Sequence, residues 1–419
     1  MNHSTQGGRA RKALAVVGLL AAMAVASGCG SDSGSEGSGD KSEPIKIGIL
    51  APYSGVFALY GPKVIEDPIR LYLKEHGGKL AGRPVKLFTA DDQSKPDVEL
   101  EKAKELVDSK DVDMIIGIVN SAGALAVRNY LDQKKVPTVI TVAGADEITG
   151  ERKSDYIFRV SFSNSQLGAA GAVLAREAGI NRTSGIGADY VAGRETLEPL
   201  LENFKKLGGS VATTVWSPLD TADFSSYLSK LRSASDVDAI MPVLFGADAV
   251  RFIDQYRSFD IKTPLYAYGD VMEQTIFLDT VGKKAAGAKT YWYYSPYLEN
   301  PENEKFRKLF LEEYNRLPGA FSMQSYSTMA LLDSAGGEIG GKFADEVQLV
   351  GALEKAEVAS PAGRLRFDDN HQVIWPAVYL SEVRKDDRGN YAQFPLGPRV
   401  TNVAQGQTVE QAQESLEKE

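Results

Sequence analysis

IKIGILAPYSGVFALYGPKVIEDPIRLYLKEHGGKLAGRPVKLFTA, residues 45–90, reads as strand, helix, strand. Ile45 to Leu50 is a short run rich in β-branched residues. Val64 to His76 carries helical periodicity and stops at Gly77-Gly78, and Val85 to Phe88 is a second strand. The same rhythm continues outward. A helix is expected over Asp97–Asp108, with a capping-box-like start at Ser94, then strand Met114–Val119, helix Ala122–Leu131 and strand Val136–Val142. After Tyr156–Val160 it resets. Helices are expected at Gln166–Ala178, Glu195–Leu207, Phe224–Leu231 and Ala249–Phe259, between strands at Thr183–Gly187, Val211–Trp216, Val237–Phe245 and Pro264–Tyr268. Such alternation predicts two successive α/β lobes with parallel sheets, whose ligands lie at the carboxyl ends of the strands. A largely helical stretch, Glu302–Leu353, leads to Leu365-Arg366-Phe367 and a last strand, Ala377–Val383.

The whole chain has 419 residues, enough for two or more domains, and ordinary globular proportions, 43% hydrophobic and 25% charged. Its 56 acidic and 47 basic residues give a net charge of −9, which argues against a nucleic-acid partner. One cysteine forbids an internal disulfide, and one cysteine with three widely spaced histidines (His3, His76, His371) lacks the close ligand pairs of a Cys/His zinc site. Carboxylate-rich calcium or magnesium sites stay open. No cofactor is expected: Gly185-Ile186-Gly187 lacks the third glycine of a dinucleotide fingerprint, and neither a G-x-S-x-G elbow nor a phosphate-binding G-x-x-x-x-G-K-[ST] loop is present. His76 and His371 are expected as a helix-end and a turn residue at the surface.

At the N-terminus Arg9, Arg11 and Lys12 precede an apolar run, Ala13–Ala26, too short to span a bilayer. It reads as a secretory signal over residues 1–28. Ala26-Ser27-Gly28-Cys29 resembles a bacterial lipobox, with Ala26 where leucine is usual, and implies an acylated Cys29. Residues 29–43 then form a lipidated Gly/Ser/acidic tether, about 20 Å in root-mean-square span. Loss of residues 1–28 leaves 44 bases against 56 acids, net −12, so lipid rather than charge would hold the body at the cell membrane. Residues 400–419, rich in Gln and Glu, read as a polar tail.

Several motifs then line up in order. They are Ile47–Gly55 with Tyr60-Gly61, Gly77-Gly78, Ala90–Ser94, Asp113–Ser121, Val136–Ile140, Asp223-Phe224-Ser225, Ala285-Ala286-Gly287 and Ser360–Asp368. Together, across residues 44–395, the chain resembles the branched-chain amino-acid-type (leucine/isoleucine/valine-binding-like) solute-binding lipoproteins of ABC importers. The resemblance implies an α/β, type I periplasmic-binding-protein-like fold, two Rossmann-like lobes joined by a three-strand hinge. Lobe one would comprise 45–161 and 292–367, and lobe two 162–291 and 368–398. The crossings would fall near Arg159–Asn164, Ala288–Tyr294 and Phe367–Asn370. It also implies an extracytoplasmic, membrane-tethered protein that binds a small amino acid or small carboxylate, makes and breaks no bond, and partners the permease subunits. A ligand sensor of the same fold is the alternative.

Carried over position by position, Ser121 at a helix start would hold the ligand carboxylate with Asn120 beside it. The loop Ala143-Gly144-Ala145 would meet the ligand with backbone groups, and Asp270 would pair with an ammonium. Tyr60, Tyr190 and Phe245 would wall the pocket, while Tyr291–Tyr294 would line it or pack the hinge. The family often has a hydroxyl near Gly144, which is missing here, and Asp146 stands where proline is common. These departures weaken the case for an ordinary leucine or valine ligand, and the missing hydroxyl near Gly144 points toward relatives that take aromatic acids, amides or urea.

Overall fold

The computed structural model describes residues 43–150, 153–234 and 236–418. The signal segment, Cys29 and the linker up to Ser42 lie outside the described residues. The first sheet is laid down by β1 (Ile45–Ala51), β2 (Lys79–Leu80), β3 (Arg83–Asp91), β4 (Met114–Gly117), β5 (Thr138–Ile140) and β6 (Ile157–Arg159). Its order is β2-β3-β1-β4-β5-β6, parallel except for the β2–β3 hairpin. β1 and β4 are buried almost throughout, which explains their continuous apolar runs: helices cover both faces of the sheet. Those helices are α1 (Asp67–Glu75), entered through a wide-wound stretch over Gly61–Glu66, α2 (Pro96–Lys104) and α3 (Ser121–Lys134).

The second sheet begins with α4 (Gly168–Glu177), β7 (Arg182–Ala188), α5 (Val191–Lys206), β8 (Ser210–Ser217), α6 (Ser225–Ser233), β9 (Ala239–Val243), α7 (Gly246–Ser258) and β10 (Tyr266–Tyr268). After the single turn α8 (Asp279–Val281), β11 (Lys289–Trp292) pairs in parallel with β10. A bridge from Ile240 to Leu265 joins the parallel trio β8-β7-β9 to β10. The chain then builds α9 (Pro301–Tyr314), α10 (Ala320–Glu338) and α11 (Glu346–Leu353), of which α9 and α10 pack on α1, and the hairpin β12 (Glu357–Ser360)–β13 (Gly363–Arg366). It returns to complete the second sheet with β14 (Trp375–Lys385) and β15 (Tyr391–Val403), both antiparallel.

Three points correct the sequence reading. Residues 400–419 are not a tail: β15 runs to Val403, α12 (Val409–Glu414) packs on α4, and β16 (Leu416–Glu417) pairs with β15. The composition is polar, but Val400, Val403, Val409 and Ala412 are all buried. Ser94 does not cap α2. Lys95 is the flanking residue and Pro96 opens the helix, while the Ser94 hydroxyl donates to Ser54 O (2.8 Å) and accepts from Phe57 N (3.0 Å). His371 does lie in a turn but is buried, stacked on Phe158 at 4.1 Å and 3.1 Å from Glu354. Among the described residues no helix is long and apolar enough to cross a membrane.

Where β6 leaves the first sheet, the guanidinium of fully buried Arg159 donates to Ala145 O (2.6 Å), to Thr149 Oγ1 and to Gln372 Oε1. Arg159 also bridges through its backbone to Gln372, so two crossings run side by side. Burial lowers its pKa to about 9, countered by Asp146, Glu195 and Asp368. The aromatic run Tyr291–Tyr294 is buried at the second crossing: Trp292 lies 5.4 Å from Phe162, and Tyr293 stacks on Trp375 at 3.9 Å.

Behind the start of α3, Asp92 and Glu99 are buried together. Neither Glu99 oxygen has a hydrogen-bond partner among the described residues, and Asp92 accepts one bond, from Ser94 N (2.7 Å). Burial pushes Asp92 up to about 7, against the pull of that bond, and burial together with Asp92 raises Glu99. A carboxyl with a raised folded-state pKa keeps its proton longer in the native protein than in the unfolded chain. Its stabilising contribution is therefore complete below about pH 4 and is lost as pH rises to about 7. Urea unfolding at pH 5 and pH 8 is expected to show lower stability at pH 8, and Asp92→Asn should shrink that difference; an unchanged difference would show that Asp92 does not contribute. Ala412→Asp, placing a charge between α12 and α4, is expected to cost about 3 kcal/mol or more in the same assay.

Candidate functional site

The carboxyl ends of both parallel sheets supply one cavity. From the first sheet come Phe57 and Tyr60 after β1, Val119 and Ser121 after β4, Val142 and Gly144 after β5, and Phe162 and Asn164 after β6. From the second come Tyr190 and Ala192 after β7, Phe245 after β9 and Asp270 after β10. The space between atoms measures about 280 Å³, of which water centres can occupy only about 20 Å³. As it stands the cavity has room for about one water, far less than an organic solute fills.

Local backbone geometry delivers these groups. β4 ends in a left-handed turn, Gly117 (φ 124°) and Ile118 (φ 62°), and a Cβ on Gly117 would lie 2.4 Å from Leu50 O. That turn aims the chain into α3, whose start is capped by Asn120 Oδ1 accepting from Ala122 N (3.0 Å). Ser121 Oγ accepts from Gly144 N (3.2 Å), so the hydroxyl, the helix start and the loop meet at one end of the cavity, an arrangement suited to a carboxylate. Gly144 has no room for a side chain: an added Cβ would meet Asn164 Oδ1 at 2.2 Å.

At the opposite wall Tyr60 donates to Asp270 Oδ1 at 3.0 Å, and Gly246 N reaches the same tyrosine oxygen at 3.4 Å. Asp270 is buried with no cationic partner within the described residues. Burial holds its carboxyl well above the usual range, opposed by the Tyr60 bond and reinforced by Glu273. Aromatic rings enclose the space between: Tyr190 meets Phe245 edge-on at 5.5 Å, and Phe57 lies 6.4 Å from Tyr190.

Of the nine positions expected from sequence to contact a ligand, Tyr60, Ser121, Gly144, Tyr190, Phe245 and Asp270 surround this cavity. Asn120, Ala143 and Ala145 do not line it: Asn120 caps α3, Ala143 N bonds Ile118 O, and Ala145 O accepts from Arg159. Sequence reasoning missed Phe57, Val119, Val142, Phe162, Asn164 and Ala192, though each lies within a few residues of a strand end. Phe162 and Asn164 fell inside the expected first crossing. Tyr291–Tyr294 pack the hinge rather than the cavity. Among the described residues no group of three or more His, Cys, Asp or Glu side chains is arranged to hold a metal ion.

Residues 44–389 match the family model described as periplasmic binding protein. The chain is 30% identical over 359 residues to Leu/Ile/Val-binding protein homolog 6 of Brucella melitensis, covering 83% of this chain and 89% of that protein. A solute-binding protein of an ABC transporter from R. palustris, solved in complex with benzoate, is 29% identical and superposes with a TM-score of 0.79, covering 84% of this chain and 96% of that one. Another, from Rhodopseudomonas palustris BisB5 in complex with 3,4-dihydroxybenzoic acid, is 28% identical with a TM-score of 0.80, covering 87% and 99%.

Proposed function

This chain belongs to the periplasmic binding protein family and is an extracytoplasmic solute-binding protein of an ABC transporter, and on that premise we propose that it captures a small organic carboxylate bearing a hydrogen-bond donor away from its carboxyl group. The lobes close on the solute and present it, unaltered, to the permease. The observation that carries this reading is the polarity of the cavity: Ser121 and the start of α3 at one end, Asp270 with Tyr60 at the other, aromatic walls between.

Those walls favour an aromatic acid. A flat ring buries apolar area against Phe57, Tyr190 and Phe245 at roughly 25 cal/mol per Å². The benzoate and dihydroxybenzoate held by the two R. palustris relatives are of this class. A ring hydroxyl would donate to Asp270. A bare benzoate would bring a second acid into a slot where Asp270 then has to keep its proton. One observation favours a second reading, an amino acid: buried Asp270 lacks a cation among the described residues, and an ammonium would supply it. The names of the Brucella relatives agree with that reading.

The lipobox-like Ala26–Cys29 supports lipid attachment at Cys29, with residues 29–43 as tether. The lobes are assigned as 45–161 with 292–367, and 162–291 with 368–398, the last extended by the docked C-terminal segment.

Isothermal calorimetry with 4-hydroxybenzoate, benzoate and leucine tests the ligand. 4-Hydroxybenzoate is expected to bind tighter than benzoate, and Asp270→Ala to weaken it more than tenfold by removing a buried hydrogen-bond partner. Leucine as the sole binder would select the second reading, and heat from none of the three would overturn both. Cys29→Ser is expected to move the protein from the membrane pellet to the soluble fraction of its host; retention in the pellet would remove Cys29 as the anchor.

A further inference from the structure

Glu195 lies in the first turns of α5, on the second lobe. One of its oxygens, Oε2, accepts from two donors on separate segments: the backbone N–H of Asp146 at 3.0 Å and the side-chain amide of Asn164 at 2.9 Å. Asp146 belongs to the first-lobe loop that carries Gly144. Asn164 lines the cavity, at the end of the first crossing. The connection is doubled, because Asp146 Oδ1 accepts from Ser165 N at 3.0 Å. It also continues into the site. Asn164 N donates to Gly144 O at 2.6 Å, and Gly144 N donates to Ser121 Oγ. On the far side of the loop Arg159 holds Ala145 O. A chain of bonds therefore runs from a second-lobe helix, through the loop, to the hydroxyl at the carboxylate end of the cavity.

We propose that Glu195 is a positioning residue: it clasps α5 to the Gly144–Asp146 loop and turns the Asn164 amide into place, so that lobe closure and the shape of the carboxylate end are set by the same carboxylate. Glu195 does not line the cavity. It acts through Asn164 and Asp146, and this role rests on the proposed capture of a solute between closing lobes. The α5–loop bond joins groups on different lobes and so favours their closed arrangement. It lengthens the residence of a bound solute more than it speeds capture, because capture begins with the lobes apart. Asp146 fits its part. It opens the short helical turn Asp146–Ile148, so its N–H has no partner within that turn and is free to donate across the cleft.

Hydrogen–deuterium exchange on the ligand-free protein tests the clasp without any ligand. Glu195→Ala is expected to speed exchange at least tenfold in segments 143–149 and 162–166 while β1 is unchanged. Glu195→Gln, which keeps an acceptor oxygen in place, is expected to exchange as the wild type does. Asp146→Pro, compatible with the first position of a helical turn, deletes the donor and should loosen the 162–166 segment in the same direction. Unchanged exchange in Glu195→Ala, or acceleration spread evenly to β1, would overturn the proposal. In stopped-flow with 4-hydroxybenzoate as probe, Glu195→Ala should raise the dissociation rate at least tenfold and change association less than threefold. Equal rates in mutant and wild type would also overturn it. Should 4-hydroxybenzoate fail to bind the wild type, the ligand reading alone falls, and the exchange rates by themselves decide whether the clasp exists.

Discussion

A single buried guanidinium sets the frame on which the rest is hung. Arg159 ends the first sheet, starts the first crossing, holds the Gly144–Asp146 loop by Ala145 O, and ties that crossing to the third through Gln372. Among the described residues it makes no direct ion pair. Its charge is balanced through space by Asp146, Glu195 and Asp368, and its hydrogen bonds go to neutral oxygens. A buried cation held this way tolerates few arrangements of its neighbours, because each lost acceptor leaves a desolvated N–H. The hinge strands are thereby fixed relative to the loop that forms one end of the cavity.

The aromatic packing works with that constraint. Trp292 and Tyr293 fill the space beneath the cleft against Phe162 and Trp375, so the hinge is a solid floor rather than an extension of the cavity. Phe162 is shared: one side packs on Trp292 and the other faces the solute space. The cavity thereby has its floor already occupied by the hinge. Its walls are polar chiefly at Ser121, Gly144, Asn164 and Asp270.

Much of this was legible in the sequence, and the reasons are local. Strand–helix alternation is written in β-branched runs and helical periodicity, so β1, β4 and β9 and the helices between them fell within a few residues of their expected places. The rule that strand ends carry the site, joined to the family resemblance, led to Tyr60, Ser121, Gly144, Tyr190, Phe245 and Asp270, all of which border the cavity. What escaped depends on contacts between distant segments. Asn164 and Phe162 reach the cavity only because the hinge folds them there, about 20 residues beyond Gly144. Glu195 reads as an ordinary helix residue, since nothing near it in sequence shows its partner at Asp146. Residues 400–419 look unstructured by composition, and four spaced apolar side chains suffice to dock them once β15 and α4 offer a surface. His371 reads as exposed because polar turns usually are, yet its ring stacks on Phe158.

The order of the chain has a consequence for how the molecule is made. The first lobe lacks its covering helices α9 and α10 until residue 338 is available, and the second lacks β14 and β15 until residue 403. Neither half can complete its core while the chain is still emerging, and several of the required pairings join segments far apart in sequence, which slows folding. The two halves therefore mature late and nearly together. Until then, the unpaired edge of β11 remains open to other chains, and the antiparallel hairpin that seals it is among the last parts to arrive.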